Sequence, residues 1–347
     1  MQARQSLLSY VDPPATVILG RNDVARLLSM EDCIAAVEDS FARHARGETI
    51  GPGVLGTHVE RGGFHVKAAG FRRVDAARDV YAAKINANFP CNPRERGLPT
   101  IQGVIALFDG ADGRVLALMD SVAITSLRTA AATAVAAKYL APSPVRVTLC
   151  GCGEQARHQL RALACVRPLD RVWVYDIVEE RARQLALGIS AALGTDVAVV
   201  EHLSDVAADT SVWITCTPSE RWFLGRAHVA PGAFVAAVGA DNPQKQELEP
   251  ELLAANAVVA DVIEQCASIG DLHHAIDAGL MQRADVRCDL ADLVSRRKDV
   301  RRSPDEIVIF DSTGTALEDV AAALVVYDRA MESGVGALVD LSGSVVA

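Results

Sequence analysis

The chain has 347 residues, half of them hydrophobic, enough to bury a large core and to predict two domains. Its formal net charge of −10, without a dense Lys/Arg stripe, argues against a nucleic-acid partner. No apolar stretch reaches the length of a membrane span, and Met1 to Ser6 lack the apolar core of a secretory signal, so a soluble, cytoplasmic protein is expected.

In chain order, an amphipathic helix is expected over 30–46, followed by glycine-punctuated strand-like runs at 62–71, 80–89, 103–109 and 115–120. Alternation in the first run puts His65 and Lys67 on one face and Phe64, Val66 and Ala68 on the other. Lys84 interrupts the apolar run from Val80 to Ile85, where an ammonium would have to leave water. Burial lowers a lysine pKa, so such a lysine can move a proton near neutral pH. The alternative is a snorkelling lysine on an exposed strand face. Arg128 stands between Thr125 and a small-residue run, at an expected helix start where a guanidinium and exposed N–H groups would together seat a carboxylate. A domain-joining salt bridge is the alternative.

From about 141 to 311 the pattern alternates helices with strands at 145–149, 171–175, 197–200, 212–216, 234–238, 258–262 and 307–310, a doubly wound parallel sheet. The first of these strands runs into Gly151-Cys-Gly153-Glu154-Gln155-Ala156. In this Gly-x-Gly-x-x-Ala pattern the first glycine allows the tight turn and the second lets backbone N–H groups approach a pyrophosphate. The small Ala156 lets the next helix lie close to the sheet, its positive end toward the phosphates. Leu160, Leu163 and Ala164 share a helix face, and Asp176 ends the next strand, 23 positions after Gly153. The whole unit predicts a dinucleotide site. Asp176 can accept hydrogen bonds from the adenosine ribose and would repel a 2′-phosphate, and no basic residue occurs before Arg181, so NAD(H) is expected over NADP(H). Alternatively, Asp176 caps the next helix. The eight cysteines are scattered, and Cys150 and Cys152 are too close for a Cys-x-x-Cys motif. They read as small side chains in a reducing compartment, with no disulfide and no metal. Asp241 follows an apolar strand at the carboxyl end of the sheet, where a carboxylate could orient an amine or stabilise an iminium ion. Asn242 and Pro243 would also open a helix well, which would make Asp241 local structure. The tail over 315–329 has helical periodicity and is expected to return to the first domain.

Lys84-Ile-Asn-Ala-Asn-Phe-Pro90, Gly97-Leu-Pro-Thr-Ile-Gln-Gly103, Met119-Asp-Ser, Ile124-Thr-Ser-Leu-Arg128-Thr-Ala-Ala, Gly239-Ala-Asp241 and Phe310-Asp-Ser-Thr-Gly314 occur in that order. With the glycine turn, the set resembles the ornithine cyclodeaminase/mu-crystallin family over nearly the whole chain. The resemblance implies an α/β protein with a central Rossmann-type doubly wound NAD domain, residues 141–311. A discontinuous α+β substrate and dimerisation domain, residues 1–140 and 312–347, would wrap around it, giving a homodimer. It also implies roles. Lys84 and Asp241 would be catalytic, and Lys67 and Arg128 would hold the substrate carboxylate. Thr215, Thr217 and Pro218 would line the cofactor, with Ser312, Thr313 and Gly314 approaching the nicotinamide. The segment around Lys67 departs from the ornithine-cyclodeaminase version. The expected function is therefore NAD(H)-dependent hydride transfer at the α C–N bond of a small amino or imino acid, by an imino-acid/ketimine reductase or amino-acid dehydrogenase. One alternative is a cyclodeaminase that releases ammonia with catalytic NAD. Another is a non-catalytic nucleotide-dependent binding protein of mu-crystallin type, against which the intact Lys84, Arg128 and Asp241 speak.

Overall fold

The computed structural model describes residues 15–72, 78–297 and 299–341. Met1 to Ser6, considered above for a signal sequence, lie outside these residues. The first six strands are β1 Thr16–Leu19, β2 Thr49–Val59, β3 Gly62–Phe71, β4 Val80–Asn88, β5 Ile101–Asp109 and β6 Val115–Asp120. Antiparallel pairing joins β2 through β6 in sequence, β1 lies parallel to β6, and a late strand, Ala337–Val339, pairs with β1 at that edge. The run forming β2 was not among the expected strands because Gly51-Pro52-Gly53 reads as a turn. In the sheet those residues sit at a register shift between Ile50 and Gly53, with Gly51 at φ +80°, so the irregularity is absorbed as a bulge.

Period-two alternation gives this sheet two unlike faces. On the inner face Lys67, Lys84 and Ile105 are register partners across β3, β4 and β5. On the outer face Leu55, Val66, Ile85 and Val104 form one aliphatic row across four strands. The helices Ser121–Leu140 and Ala316–Ser333 lie on the inner face, with Met30–Ala45 packed against both.

The next ten strands are β7 Val145–Cys150, β8 Leu169–Tyr175, β9 Val197–Val199, β10 Val212–Thr215, β11 Glu220–Leu224, β12 Phe234–Ala237, β13 Gln246–Leu248, β14 Ala257–Ala260, β15 Cys288–Asp289 and β16 Val308–Asp311. Eight of them form a parallel sheet in the order β15-β14-β16-β12-β10-β7-β8-β9, and β11 pairs with β13 in a separate ribbon. All seven strands expected over 141–311 are present as apolar, β-branched runs, and β10, β12, β14 and β16 are buried along their whole length by packing on both faces. Strand order reverses at β7, which lies between β8 and β10, so the crevice beyond its carboxyl end is the ligand position of a doubly wound sheet. Phe234 on β12 and Phe310 on β16 are fully buried. Removing such a side chain from water contributes about 1.5–3 kcal/mol, and truncating Phe234 to Ala would cost about 3–5 kcal/mol with the cavity included.

Candidate active site

Register brings Lys67 and Lys84 directly opposite each other, an unfavourable pairing for like charges unless other groups compensate. Lys84 is only 3% exposed. Its Nζ donates to Asp319 Oδ1 at 2.7 Å, with Oδ2 at 2.6 Å and Thr125 Oγ1 at 3.5 Å. Lys67 Nζ donates instead to the backbone carbonyls of Thr313 and Gly314, at 3.1 and 2.7 Å. Arg128 is buried; its Nε donates to Asp319 Oδ1 at 3.0 Å and its Nη1 to Glu318 Oε2 at 2.9 Å. Two cations, Lys84 and Arg128, thus share two carboxylates from the first turn of the helix Ala316–Ser333, and Lys67 is held beside them by carbonyls of the preceding turn.

Burial, and then the Arg128 charge, push Lys84 down to about 7 against the opposing pull of Asp319. Burial and Arg128 also lower Lys67. Burial would discharge Arg128, but Asp319 and Glu318 hold the guanidinium firmly charged. Asp319 stays below the usual carboxylate range because Lys84 and Arg128 outweigh its desolvation. The expected seat for Arg128 at a helix start is corrected. Its helix begins at Ser121, capped by Asp120, so Arg128 lies mid-helix, away from the free N–H groups, and acts through its side chain alone.

The glycine turn lies at the carboxyl end of β7. Gly151 has φ +96°, and a Cβ there would stand 2.7 Å from Thr217 Cγ2 and 2.9 Å from the Cys216 carbonyl oxygen, so only glycine fits. A Cβ at Gly153 would meet nothing within 4 Å, and the helix Glu154–Val166 that follows has no side-chain cap. Open space over uncapped N–H groups is what a pyrophosphate requires, so these residues fit a dinucleotide. Ala156 is fully buried against the sheet, Glu154 is exposed, and the buried Gln155 Oε1 has no hydrogen-bond partner. Ala162, Leu160 and Leu163 form the buried face of the helix; Ala164, expected there, is exposed. Asp176 does not cap the following helix, whose N-cap is Val178. Its Oδ2 accepts the Cys152 N–H at 2.8 Å and its Oδ1 the Val178 N–H at 2.8 Å, tying the end of β8 to the turn.

The hydroxyls of Thr215 and Thr217 both donate to Glu247, at 2.7 Å each, and Thr215 is fully buried. Glu247 thus accepts the hydroxyl hydrogen bond of each of these two threonines. Pro218 is exposed beside them. Asp241 Oδ1 accepts from Lys245 Nζ at 2.7 Å at the exposed mouth of the site. Desolvation opposes it, but Lys245, Lys67 and His65 hold this carboxyl below the ordinary range. Asn242 opens no helix: its Oδ1 accepts from the Gln244 and Lys245 N–H groups in a local turn. Ser312 is buried, and Asp261 Oδ2 accepts the N–H groups of Thr313 and Gly314, both at 2.7 Å. Gly314 has φ +73°, and a Cβ on it would collide with the Arg128 guanidinium. Sequence reasoning missed Glu318, Asp319, Glu247 and Asp261, whose partners lie far away along the chain.

Residues 15–334 match the ornithine cyclodeaminase/mu-crystallin family. The alanine dehydrogenase of Archaeoglobus fulgidus is 36% identical over 328 residues, covering 92% of this chain and 97% of that protein. Among solved structures, an archaeal alanine dehydrogenase dimer with bound NAD superposes with a TM-score of 0.89 at 34% identity, covering 94% of this chain and 99% of that one. The Thermococcus litoralis Delta(1)-pyrroline-2-carboxylate reductase in complex with NADH and L-proline gives 0.88 at 30% identity, covering 93% and 100%.

Proposed function

The chain belongs to the ornithine cyclodeaminase/mu-crystallin family, and from that premise we propose that it is an NAD(H)-dependent oxidoreductase acting at the α C–N bond of a small amino or imino acid. The observation that carries this reading is the cluster of cations beside the nucleotide crevice. Lys84 and Arg128 are paired with Asp319 and Glu318, whereas the Lys67 ammonium donates to the backbone carbonyls of Thr313 and Gly314, which leaves it without a carboxylate partner of its own among the described residues, one that a substrate carboxylate would supply. Lys67 and Arg128 are the groups that hold it, a guanidinium contributing planar bonds and an ammonium a point charge.

Gly151, Gly153, Ala156 and Asp176 would hold NAD(H), which would supply hydride-transfer chemistry at the substrate α-carbon. Lys84 holds or releases the proton at Nζ, since its lowered pKa lets both forms exist near neutrality. Asp241 faces the substrate nitrogen from the mouth and stabilises it as a cation. Residues 141–311 then form the NAD-binding domain, and residues 1–140 with 312–347 the substrate-binding and dimerisation domain.

The outer face of the first sheet supports a homodimer. Leu55, Ile85 and Val104 are 64%, 45% and 38% exposed in one continuous row, with Phe64 and Tyr81 nearby, a patch that a second copy of the chain would cover. The related archaeal alanine dehydrogenase is itself a dimer. Eight free cysteines support a reducing, cytoplasmic location, and no helix among the described residues is long and apolar enough to cross a membrane.

The test is a panel of alanine, ornithine, lysine, arginine and cyclic imines, followed by NADH absorbance and ammonia release together. NADH changing in step with product is the expected result. Ammonia and a cyclic amino acid from ornithine or lysine without net NADH would make the protein a cyclodeaminase instead.

A further inference from the structure

Four carboxyls, Glu247, Asp261, Asp271 and Asp311, are at most 1% exposed and lie behind the substrate site. Three of them, Asp311, Asp271 and Glu247, form a relay through backbone. Asp311 Oδ2 accepts the Leu272 N–H at 2.9 Å, and Asp271 Oδ1 accepts the N–H groups of Glu247 and Leu248 at 2.8 and 2.9 Å. The relay ends on Glu247. There Oε1 receives the Thr217 N–H at 2.6 Å and the Thr217 hydroxyl at 2.7 Å, while Oε2 receives the Gly239 N–H and the Thr215 hydroxyl, both at 2.7 Å. A Cβ at Gly239 would lie 2.5 Å from Glu247 Cδ, so the glycine in Gly239-Ala-Asp241 leaves room for this carboxyl.

The two turns joined by Glu247 follow the neighbouring strands β10 and β12. In the sheet, β8 and Asp176 lie on one side of the glycine turn, and β10 and β12 lie on the other, toward Asp241. The adenosine end of the cofactor belongs with Asp176, which leaves the nicotinamide end over the turns that Glu247 clamps. We propose that Glu247 is a positioning residue for the nicotinamide half of the cofactor site, fixing the Thr217 turn to the Gly239 turn that carries Asp241. This inference rests on the NAD(H) reading above.

The contacts dictate the test. Glutamine keeps the shape of Glu247 but turns one end into an NH2 group, and each end faces a backbone N–H that cannot reverse. One clamp therefore opens whichever way the amide is placed, and an unmet buried donor of this kind weakens binding by about tenfold or more. In Glu247→Gln the Kd for NADH, read by fluorescence, should rise by about tenfold or more. The Kd for ADP-ribose, read by calorimetry, should stay within about twofold, because the adenosine half is held at Gly151 and Asp176. NADH affinity within about twofold of the unmodified protein overturns the proposal, as does a parallel loss of both ligands. If Glu247→Gln fails to fold, Thr217→Val removes one hydroxyl donor and keeps both backbone donors. It should weaken NADH selectively by a smaller factor, and unchanged NADH binding in that variant also overturns the proposal. Absence of NADH binding by the unmodified protein would instead sink the NAD(H) reading itself.

Discussion

Replacing Asp319 by Asn removes one negative charge from between Lys84 and Arg128 while keeping the side-chain shape. Lys84 Nζ lies 2.6–2.7 Å from both Asp319 oxygens. At an effective dielectric near 20, a pair even about 4 Å apart is worth on the order of 4 kcal/mol, part of which survives the substitution because the amide still accepts a hydrogen bond and the neighbours relax. Losing a third of that interaction already moves a pKa by about one unit. The sign follows from the charges. Asp319 favours the ammonium, whereas burial and Arg128 disfavour it and bring Lys84 to about 7. Without Asp319 the Lys84 pKa falls further. In the reductive direction, activity that needs the protonated lysine is lost as pH rises through this pKa. In the oxidative direction, activity that needs the free amine is gained over the same range. The pH dependence of kcat/KM in both directions should thus show a limb near neutrality that moves acidward by about one pH unit or more in Asp319→Asn. A limb that stays in place, with activity merely scaled down, would refute the assignment of that limb to Lys84.

Lys84→Met should bind NADH as the unmodified protein does and lose about 100-fold or more in kcat, measured by steady-state assay, since a general acid–base group typically supplies that much; near-normal turnover would make Lys84 structural. Arg128→Lys should raise KM for the carboxylate substrate by about tenfold with a smaller effect on kcat, because an ammonium cannot span Glu318, Asp319 and a substrate carboxylate together. Asp176→Ala should narrow the preference for NADH over NADPH and also weaken NADH, since the Cys152 and Val178 N–H groups lose their acceptor; a strong NADPH preference in the unmodified protein would contradict the reading. Leu55→Asp with Ile85→Asp, placing two charges in the exposed aliphatic row, should yield monomers by light scattering after size exclusion, and a surviving dimer would place the interface elsewhere.

The sequence carries the parallel sheet plainly because strands covered on both faces read as apolar, β-branched runs, and the glycine turn is legible because both its glycines answer local backbone demands. Lys84 and Arg128 are visible for a similar reason: each interrupts a run that has no place for a charge. Their partners are not visible in this way. Glu318 and Asp319 occupy the first helical turn, where acids are common because they complement the helix dipole, and they bind residues about two hundred positions upstream. One signal was nevertheless available. Every residue from Ala316 to Ala323 is buried, and the run is otherwise all Ala, Leu and Val, the mark of a helix covered on all sides. Two buried carboxylates need cationic partners, and the cations that interrupt buried runs elsewhere are Lys84 and Arg128. Pairing those two acids with those two cations already brings the last long helix onto the inner face of β4, and with it the Ser312–Gly314 turn whose carbonyls receive Lys67.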